Sequence, residues 1–337
     1  MPSPDGRIDL RSDTVTTPTA EMRRAMADAE VGDDVFGEDP TINRLQERAA
    51  ELLGKEAGLY VPSGTMANQV ALRALGRPGT ALVCANGAHV YRVEGESTVD
   101  AGLEVRALPD GAGALAPADV EGALGHQPKA SLFSIENTYA DGNGRPWRVD
   151  EITAVCEVAG RHDLPVHCDG ARIWNASVAL GIPAAELVAP ATTAMFCISK
   201  GLSAPVGSVL VGPVDVVREA HSYRRRLGGA MRQAGVIAAA GLVALDTMIE
   251  RLADDHRRAR ALADVLAERF PGSVDPEAIE TNIVWAPLDR LPDNLLDRLR
   301  AEGIWALALG DRGRFVTHKD VDDADMDRVV KVIHDLD

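Results

Sequence analysis

Seven short apolar runs, separated by helix-sized segments, constrain the fold of this chain more than any other feature. Most of the runs are continuous rather than alternating, as expected for strands buried on both faces of a parallel sheet. The segments between them, such as VDEITAVCEVAGRHD, are mostly typical of helices. This succession predicts an α/β fold with a doubly wound, mostly parallel sheet. The runs lie in the segments AGLYVPSG, ALVCANG, LEVRALP, ASLFSIENT, LPVHCDGA, AMFCISK and GSVLVG.

The last two runs and the C-terminal part of the chain depart from this pattern. Too few residues separate AMFCIS from SVLVG for a helical crossover, so we expect a hairpin and one antiparallel strand there. Beyond about residue 235, one or two long helices are followed by short strands and a final helix. This change predicts a large domain at residues 1–245 and a small α+β domain at residues 246–337.

Composition excludes several classes of function. The net charge of the 337 residues is −16, which argues against non-specific nucleic-acid binding, since that depends on Lys and Arg. No run reaches the roughly 18 apolar residues of a membrane span, and the N-terminus lacks the apolar core of a signal peptide. The four cysteines show no CxxC or metal-ligand spacing, so we predict buried free thiols and no metal site. A cytoplasmic protein without membrane association is expected.

Polar residues follow the predicted strands, at the sheet edge where open α/β sheets bind ligands. Ser63, Gly64 and Thr65 follow GLYVP and precede a helix, where backbone N–H groups and the helix dipole favour a phosphate. An ordinary N-cap would explain the same residues. His89 follows ALVCANG, and its imidazole could stack on a ring, although a lone histidine at a strand end is more often structural.

Two further strand ends carry charge. Lys200 ends the apolar run AMFCIS, although burial disfavours an ammonium ion; an amine there could attack an aldehyde, or simply be paired or reach solvent. Asp169 follows LPVHC, where a carboxylate could hold a cationic ring nitrogen. Arg172 could bind a carboxylate through two hydrogen bonds. A structural Asp–Arg pair is the alternative for these last two residues.

Together these strand ends provide what pyridoxal phosphate (PLP) requires. The Ser63–Thr65 turn takes the phosphate, His89 stacks on the pyridine, Asp169 keeps the ring nitrogen protonated and Lys200 forms the Schiff base. A dinucleotide site lacks its signature, because no G-x-G-x-x-G follows the early strands, and no P-loop is present. The sequence therefore predicts PLP as the cofactor.

Seven motifs, in order, resemble those of the threonine aldolases of the β-eliminating lyase group. The resemblance covers nearly the whole chain and implies the PLP-dependent, aspartate-aminotransferase-like fold. That fold has a mostly parallel seven-stranded sheet in a large domain and a small C-terminal α+β domain. The motifs are IDLRSDTVT, GDDVFGEDPT, SGTMAN, HCDGAR, SKGLSAPVGS, GGAMRQAG and RFVTHKD.

The resemblance implies a role for each candidate residue. Lys200, Asp169 and His89 are the catalytic residues, and His89 also takes part in proton transfer. The substrate is contacted by Ser12, Tyr139, Arg172 and Arg314. The cofactor is held by Ser63, Gly64, Thr65, His89, Asp169, Arg172 and Lys200, with Arg225 and Arg232 reaching a neighbouring subunit's site. Shared sites imply a homo-oligomer, a tetramer built as a dimer of dimers.

This chain departs from the family at two positions. Tyr139 stands where many members have a histidine near the substrate β-hydroxyl, and Phe36 stands where a tyrosine is common. The preference between L-threonine and L-allo-threonine is therefore left open. Arg224, Arg225 and Arg226 are consecutive in the sequence. We expect Arg224 and Arg226 to be solvated, and only Arg225 to reach a neighbouring subunit's cofactor site.

The implied reaction is retro-aldol cleavage of the Cα–Cβ bond of L-threonine or L-allo-threonine, giving glycine and an aldehyde. Other β-hydroxy-α-amino acids remain open as substrates. Arginines fix the carboxylate, and we hypothesise that His89, or a water it holds, is the base for the β-hydroxyl. Two alternatives stay open: another PLP-dependent lyase or aminotransferase acting on a small amino acid, and a non-catalytic PLP-binding protein.

Overall fold

The computed structural model describes residues 6–111 and 113–335. Its strands form three sheets, and the largest carries the seven strands that the sequence predicts. The strands are β1 (Ile8–Asp9), β2 (Ala57–Val61), β3 (Thr80–Ala85), β4 (Leu103–Leu108), β5 (Ala130–Glu136), β6 (Val166–Asp169), β7 (Thr193–Cys197), β8 (Ser208–Gly212), β9 (Ile283–Pro287), β10 (Ile304–Trp305), β11 (Leu307–Leu309) and β12 (Arg312–Val316).

The seven-stranded sheet has the order β2-β8-β7-β6-β5-β3-β4. Neighbours from β7 to β4 pair in parallel, whereas β8 is antiparallel to both β7 and β2. The predicted hairpin with one antiparallel strand is therefore confirmed, and so is the α/β fold class. Strands β5, β6 and β7 are buried along their whole length, as the continuous apolar runs predict.

Helices connect and cover these strands. Two helices next to the sheet start with clear sequence signals: Asp39 caps the helix Pro40–Leu52, whose first residue is Pro40, and Ser63 caps the helix Gly64–Leu75. The helices are α1 (Ala20–Ala27), α2 (Pro40–Leu52), α3 (Gly64–Leu75), α4 (His89–Arg92), α5 (Gly95–Asp100), α6 (Pro117–Leu124), α7 (Val149–Arg161), α8 (Ile173–Leu180), α9 (Ala184–Val188), α10 (Val214–Arg226), α11 (Gly235–Thr247), α12 (Leu252–Arg269), α13 (Leu295–Ala301) and α14 (Asp323–His334).

The buried apolar side chains of the described residues form two large cores and two smaller clusters. One large core surrounds the seven-stranded sheet and extends to Leu252, and the other lies among α12, α13, α14 and the antiparallel sheet β11-β12-β9. Ile8 and Leu10 from the N-terminal segment belong to the second core, and β1 pairs in parallel with β10. The division between residues 245 and 246, which lies inside α11, stays a prediction.

The four cysteines are buried and free, as predicted. Burial raises the pKa of the Cys84 and Cys156 thiols to about 12, so both stay protonated and inert near neutral pH. Across the described residues, no helix combines the length and the apolar composition that crossing a membrane requires.

Candidate active site

The carboxyl ends of the central strands bring six of the nine predicted cofactor residues together around one cavity of about 340 Å³; Arg172, Arg225 and Arg232 do not line it. Asp169 is the last residue of β6, and Lys200 comes three residues after the end of β7. His89 opens α4, directly after β3 and its turn. The lining also includes Thr14, Ser63, Gly64, Thr65, Asn68 and Glu94.

The N-terminus of α3 forms one wall of this cavity and suits a phosphate. The Ser63 hydroxyl caps the helix by accepting from the Met66 N–H at 3.1 Å. The N–H groups of Gly64 and Thr65 have no acceptor within the described part of the chain, so they are available to an anion. A Cβ on Gly64 would lie 2.8 Å from Cys197 Sγ, so only glycine lets the helix start this close to β7. The residues present therefore fit the phosphate of the predicted cofactor.

Asp169 is buried and fixed by hydrogen bonds. Its carboxylate accepts from Asn68 Nδ2 at 2.8 Å and from the Ala171 N–H at 3.0 Å. Burial opposes ionisation, but the charges of His89 and Lys200 and the Asn68 hydrogen bond outweigh it and hold the pKa of Asp169 below its ordinary value. The carboxylate therefore stays ionised at neutral pH and can hold a protonated ring nitrogen.

His167 supports Asn68 from behind the cavity. Its Nε2–H donates to Asn68 Oδ1 at 3.0 Å, and the Thr193 hydroxyl lies 2.9 Å from its Nδ1. Burial lowers the pKa of His167 to about 4, so the ring is neutral at pH 7. Because the Asn68 oxygen accepts from His167, its amide nitrogen faces Asp169 and Glu94. Both carboxylates can only accept hydrogen bonds, so the Asn68 nitrogen donates to each of them.

A second cavity, of about 360 Å³, adjoins the first and shares His89 with it. Arg314 lines it, and its Nη2 donates to the Arg11 carbonyl at 3.0 Å, while its Nε is buried without a partner. Burial and the nearby charge of Arg172 lower the pKa of Arg314 from its ordinary value. No carboxylate of the described residues forms an ion pair with Arg314, so a bound carboxylate would complete its hydrogen bonds.

Glu136, at the end of β5, lies in the wall of this second cavity. Its carboxyl group accepts from the backbone N–H groups of His89 at 2.7 Å and of Ala140 at 2.9 Å. Burial, with the negative charge of Asp169, raises the pKa of Glu136 to about 7. The group therefore ties the start of α4 to the turn after β5 and titrates near neutral pH.

Comparison with known proteins identifies the family. The family model described as beta-eliminating lyase matches residues 9–288. The chain belongs to the beta-eliminating lyase family. It is 40% identical over 334 residues to low-specificity L-threonine aldolase 1 of Arabidopsis thaliana, covering 95% of this chain and 93% of that protein. It is 41% identical over 267 residues to low specificity L-threonine aldolase of Escherichia coli strain K12, covering 77% and 79%.

A solved structure gives the same fold. The threonine aldolase of Leishmania major superposes with a TM-score of 0.84 at 19% identity, covering 97% of this chain and 98% of that one. The predicted aspartate-aminotransferase-like fold is thereby confirmed, whereas the resemblance to the family is confirmed by the family model and the Arabidopsis relative. The identity of this neighbour is low enough that it supports the fold alone.

Arg172, a predicted substrate ligand in this lyase, forms an ion pair with Asp13, which the sequence did not point to. Its guanidinium donates from Nε and Nη2 to the two carboxylate oxygens of Asp13, at 2.8 and 2.6 Å. Asn282 also donates to Asp13, at 3.3 Å. Arg172 is thus a member of a structural Asp–Arg pair, with Asp13 rather than Asp169 as its partner.

Other predicted residues of this family member lie away from the two cavities. Ser12 caps a short 3-10 turn and accepts from Thr14, and the Tyr139 hydroxyl donates to Asp110. Neither Ser12 nor Tyr139 lines either of these two cavities. Arg225 is exposed, and Arg232 is exposed and paired with Asp33 at 3.0 Å. Their predicted roles stay predictions.

The expectation that Arg224 is solvated is wrong. Its side chain is 1% exposed, pairs with Asp34 at 2.8 Å and donates to the Tyr60 carbonyl at 2.8 Å. The physical reason is its position on the face of α10 that packs towards β2, where the charge is neutralised by Asp34. Arg226 is exposed, as expected.

Three functional residues escaped the sequence analysis: Asn68, Glu94 and Asp13. Asn68 is the fifth residue of α3, inside the SGTMAN motif, and Glu94 lies five residues after His89. Asn68 and Asp169 are 101 residues apart in sequence, and Asp13 and Arg172 are 159 apart. No local pattern reports such contacts; the place of Asn68 in the SGTMAN motif was the available signal.

Proposed function

We propose that this protein is a PLP-dependent aldolase that cleaves L-threonine, L-allo-threonine and related β-hydroxy-α-amino acids to glycine and an aldehyde. The observation that carries the proposal is the convergence of Lys200, Asp169, His89 and the start of α3 on one cavity that opens, at His89, into a second cavity with an unpaired arginine. The kinship with L-threonine aldolases supports this choice among the reactions of PLP enzymes.

The first cavity holds the cofactor in this proposal. The N–H groups of Gly64 and Thr65 take the phosphate, and Asp169 keeps the ring nitrogen protonated. When bound, PLP supplies an aldehyde that condenses with amines and a protonated ring that accepts electrons from Cα. Lys200, which lines the cavity, is the amine that fixes the cofactor.

The second cavity takes the amino acid. Arg314 binds the substrate carboxylate and so orients the Cα–Cβ bond for cleavage. His89 stands at the junction of the cavities, where it removes the β-hydroxyl proton directly or through a water. Arg172 acts as a support for the carboxylate site through its pair with Asp13, while Ser12 and Tyr139 contribute substrate contacts.

The deciding experiment is a product assay with L-threonine. Acetaldehyde and glycine in equal amounts are the expected products, and Lys200→Ala should abolish them together with borohydride labelling of that side chain. Lys129→Ala, at an exposed site, is the matched control and should behave as the wild-type protein. Keto-acid formation would instead identify an aminotransferase, and cofactor binding without turnover of any β-hydroxy amino acid would identify a non-catalytic protein.

We further propose that the active protein is a homo-oligomer, a dimer of dimers, in which Arg225 and Arg232 complete the neighbouring subunit's phosphate site. Both arginines are exposed, and Phe36, near Arg232 through the Asp33 loop, is 72% exposed, as expected of a face that another subunit covers. Mixed Lys200→Ala and Arg232→Ala subunits should recover about a quarter of wild-type activity by random pairing. No recovery would refute shared sites.

The cellular location and the preferred diastereomer belong to the same proposal. A cytoplasmic location agrees with the four free, buried thiols.

A comparison of kcat/KM for L-threonine and L-allo-threonine determines which diastereomer the protein prefers. Tyr139→His, which restores the residue common in the family, should change the ratio of the two values if Tyr139 lies near the β-hydroxyl in the bound state.

A further inference from the structure

Glu94 is a buried carboxylate at the centre of the cofactor site. It is 3% exposed, and it accepts three hydrogen bonds from side chains. These come from His89 Nδ1 at 2.7 Å, Asn68 Nδ2 at 3.0 Å and Gln69 Nε2 at 3.0 Å. With both oxygens occupied, the carboxylate has little freedom to leave His89.

The contact with Glu94 determines which nitrogen of His89 is available for chemistry. A carboxylate can only accept, so Nδ1 carries the proton and Nε2 keeps its lone pair while the ring is neutral. Three charged groups face the imidazole ring: Glu94 just before α5, Asp169 at the end of β6 and Lys200 after β7. Glu136 accepts a hydrogen bond from the backbone N–H of His89. Burial opposes protonation, but the Glu94 hydrogen bond and the Asp169 charge outweigh it and raise the pKa of His89.

Asn68 links this pair to the residue that holds the cofactor ring. Its single amide nitrogen donates to Glu94 Oε1 and to Asp169 Oδ2, and its oxygen accepts from His167. A ring nitrogen of His89 and one carboxylate oxygen each of Glu94 and Asp169 lie within 4.8 Å of one another. Asp169, which would hold the ring nitrogen of the cofactor, and Glu94, which orients His89, therefore accept from the same amide group of Asn68.

We propose that Glu94 is a positioning residue that holds His89 with Nε2 free as the base, and that Asn68 fixes Glu94 relative to Asp169. The kinetic part of this inference rests on the proposed aldolase function. The structural part concerns the state of His89 in the protein without cofactor, so it can be tested whatever reaction the protein catalyses.

The experiment compares Glu94→Gln with the matched control Glu96→Gln, which removes an exposed carboxylate from the same helix. The titration of His89 in the apoprotein is followed by NMR, with the resonance assigned by His89→Asn. In Glu94→Gln the pKa of His89 should fall below the wild-type value, because the carboxylate that stabilises the imidazolium is gone. Glu96→Gln should leave the titration unchanged.

The holoenzyme provides the second readout. A base must be neutral, so activity is lost as the pH falls through the pKa of His89; in Glu94→Gln this acid limb of kcat/KM should move to lower pH. The rate at the plateau should fall by about tenfold or more, since a badly oriented base loses part of the 10²- to 10⁴-fold that general base catalysis contributes. KM should change little. Glu94→Asp, which keeps the charge, should restore part of both effects.

An unchanged His89 titration in Glu94→Gln overturns the inference, even if activity falls. A lowered pKa with a normal plateau rate and no shift of the acid limb also overturns it, because His89 would then be positioned without acting as the base. If Glu94→Gln does not fold, Glu94→Ala replaces it in both measurements: a His89 pKa and a kcat equal to those of the wild type then contradict the proposal.

Discussion

At the scale of single residues, the pair between Asp13 and Arg172 shows how a buried charge fixes the site. Asp13 is fully buried, and its pKa stays well below its ordinary value: burial opposes this, but the Arg172 guanidinium outweighs it. The same N-terminal segment contacts the lysine loop, since the Thr16 hydroxyl donates to the Lys200 carbonyl at 2.9 Å. The pair therefore anchors both Arg172 and the segment that contacts the Lys200 backbone.

Replacing Asp13 by Asn should destabilise the apoprotein by roughly 3 kcal/mol, because one partner of a buried ion pair is left without its counter-charge. Urea unfolding measures the loss. Asp323→Asn is the matched control: Asp323 pairs with Arg257 and Arg258 at the surface, where solvent screens the charges, and its effect should be far smaller. Equal losses in the two variants would show that the Asp13 pair is not a special anchor.

The residues that the sequence could predict are those next to strand ends. Lys200, Asp169 and His89 follow apolar runs directly, so their common edge of the sheet follows from the strand pattern. Asp13 and Glu94 are set by packing between distant segments, and their acidic side chains look like ordinary surface residues in the sequence. Arg224 was wrongly predicted to be solvated for the same reason, since charge alone does not reveal which face of a helix is buried.

At the scale of elements, the close approach of α3 to β7 forms the proposed phosphate site. Gly64 begins α3, and an added Cβ would meet the Cys197 sulphur, which also accepts from the Ser208 hydroxyl at 3.2 Å. Gly64→Ala must therefore push the start of α3 away from the strand. We expect weaker cofactor binding, by about tenfold, the equivalent of 1.4 kcal/mol of lost phosphate contacts, as measured by absorbance titration of the apoprotein with PLP.

The control for this substitution is Gly160→Ala in α7, where the new methyl group meets nothing within 4 Å. That variant should bind PLP normally and be more stable by about 0.5 kcal/mol, because alanine has the higher helix propensity. Normal cofactor binding by Gly64→Ala would mean that the start of α3 can move without loss of the phosphate contacts.

Element by element, continuous apolar runs predicted the central strands well, since burial on both faces leaves a clear composition. The short strand β1 was beyond such reasoning. It contains two residues, and it forms because the N-terminal segment crosses to the second core, where Ile8 and Leu10 are buried. A pairing between residues about 300 positions apart leaves no local periodicity.

At the scale of the whole molecule, buried neutral histidines couple the fold to pH. Burial lowers the pKa of both His167 and His256 to about 4, against about 6.5 for an unfolded chain. Between these values the unfolded state binds protons that the folded state does not, so stability falls as the pH falls from about 6.5 to about 4. Glu136 acts in the opposite sense, because a carboxyl group whose pKa is raised to about 7 favours the folded state as the pH falls.

Single substitutions separate these opposing contributions. His167→Gln can still donate to Asn68 but cannot take up a proton, so its free energy of unfolding should fall less steeply with acidification than that of the wild type. The difference should approach 1.4 kcal/mol per pH unit between pH 6 and 4.5, the value for one proton. Urea unfolding at several pH values measures both slopes, with exposed His126→Gln as the control. If His167→Gln and the wild-type protein lose stability in parallel, then His167 is protonated in the folded state, and the Asn68 bridge that orients Asp169 must be held by other contacts.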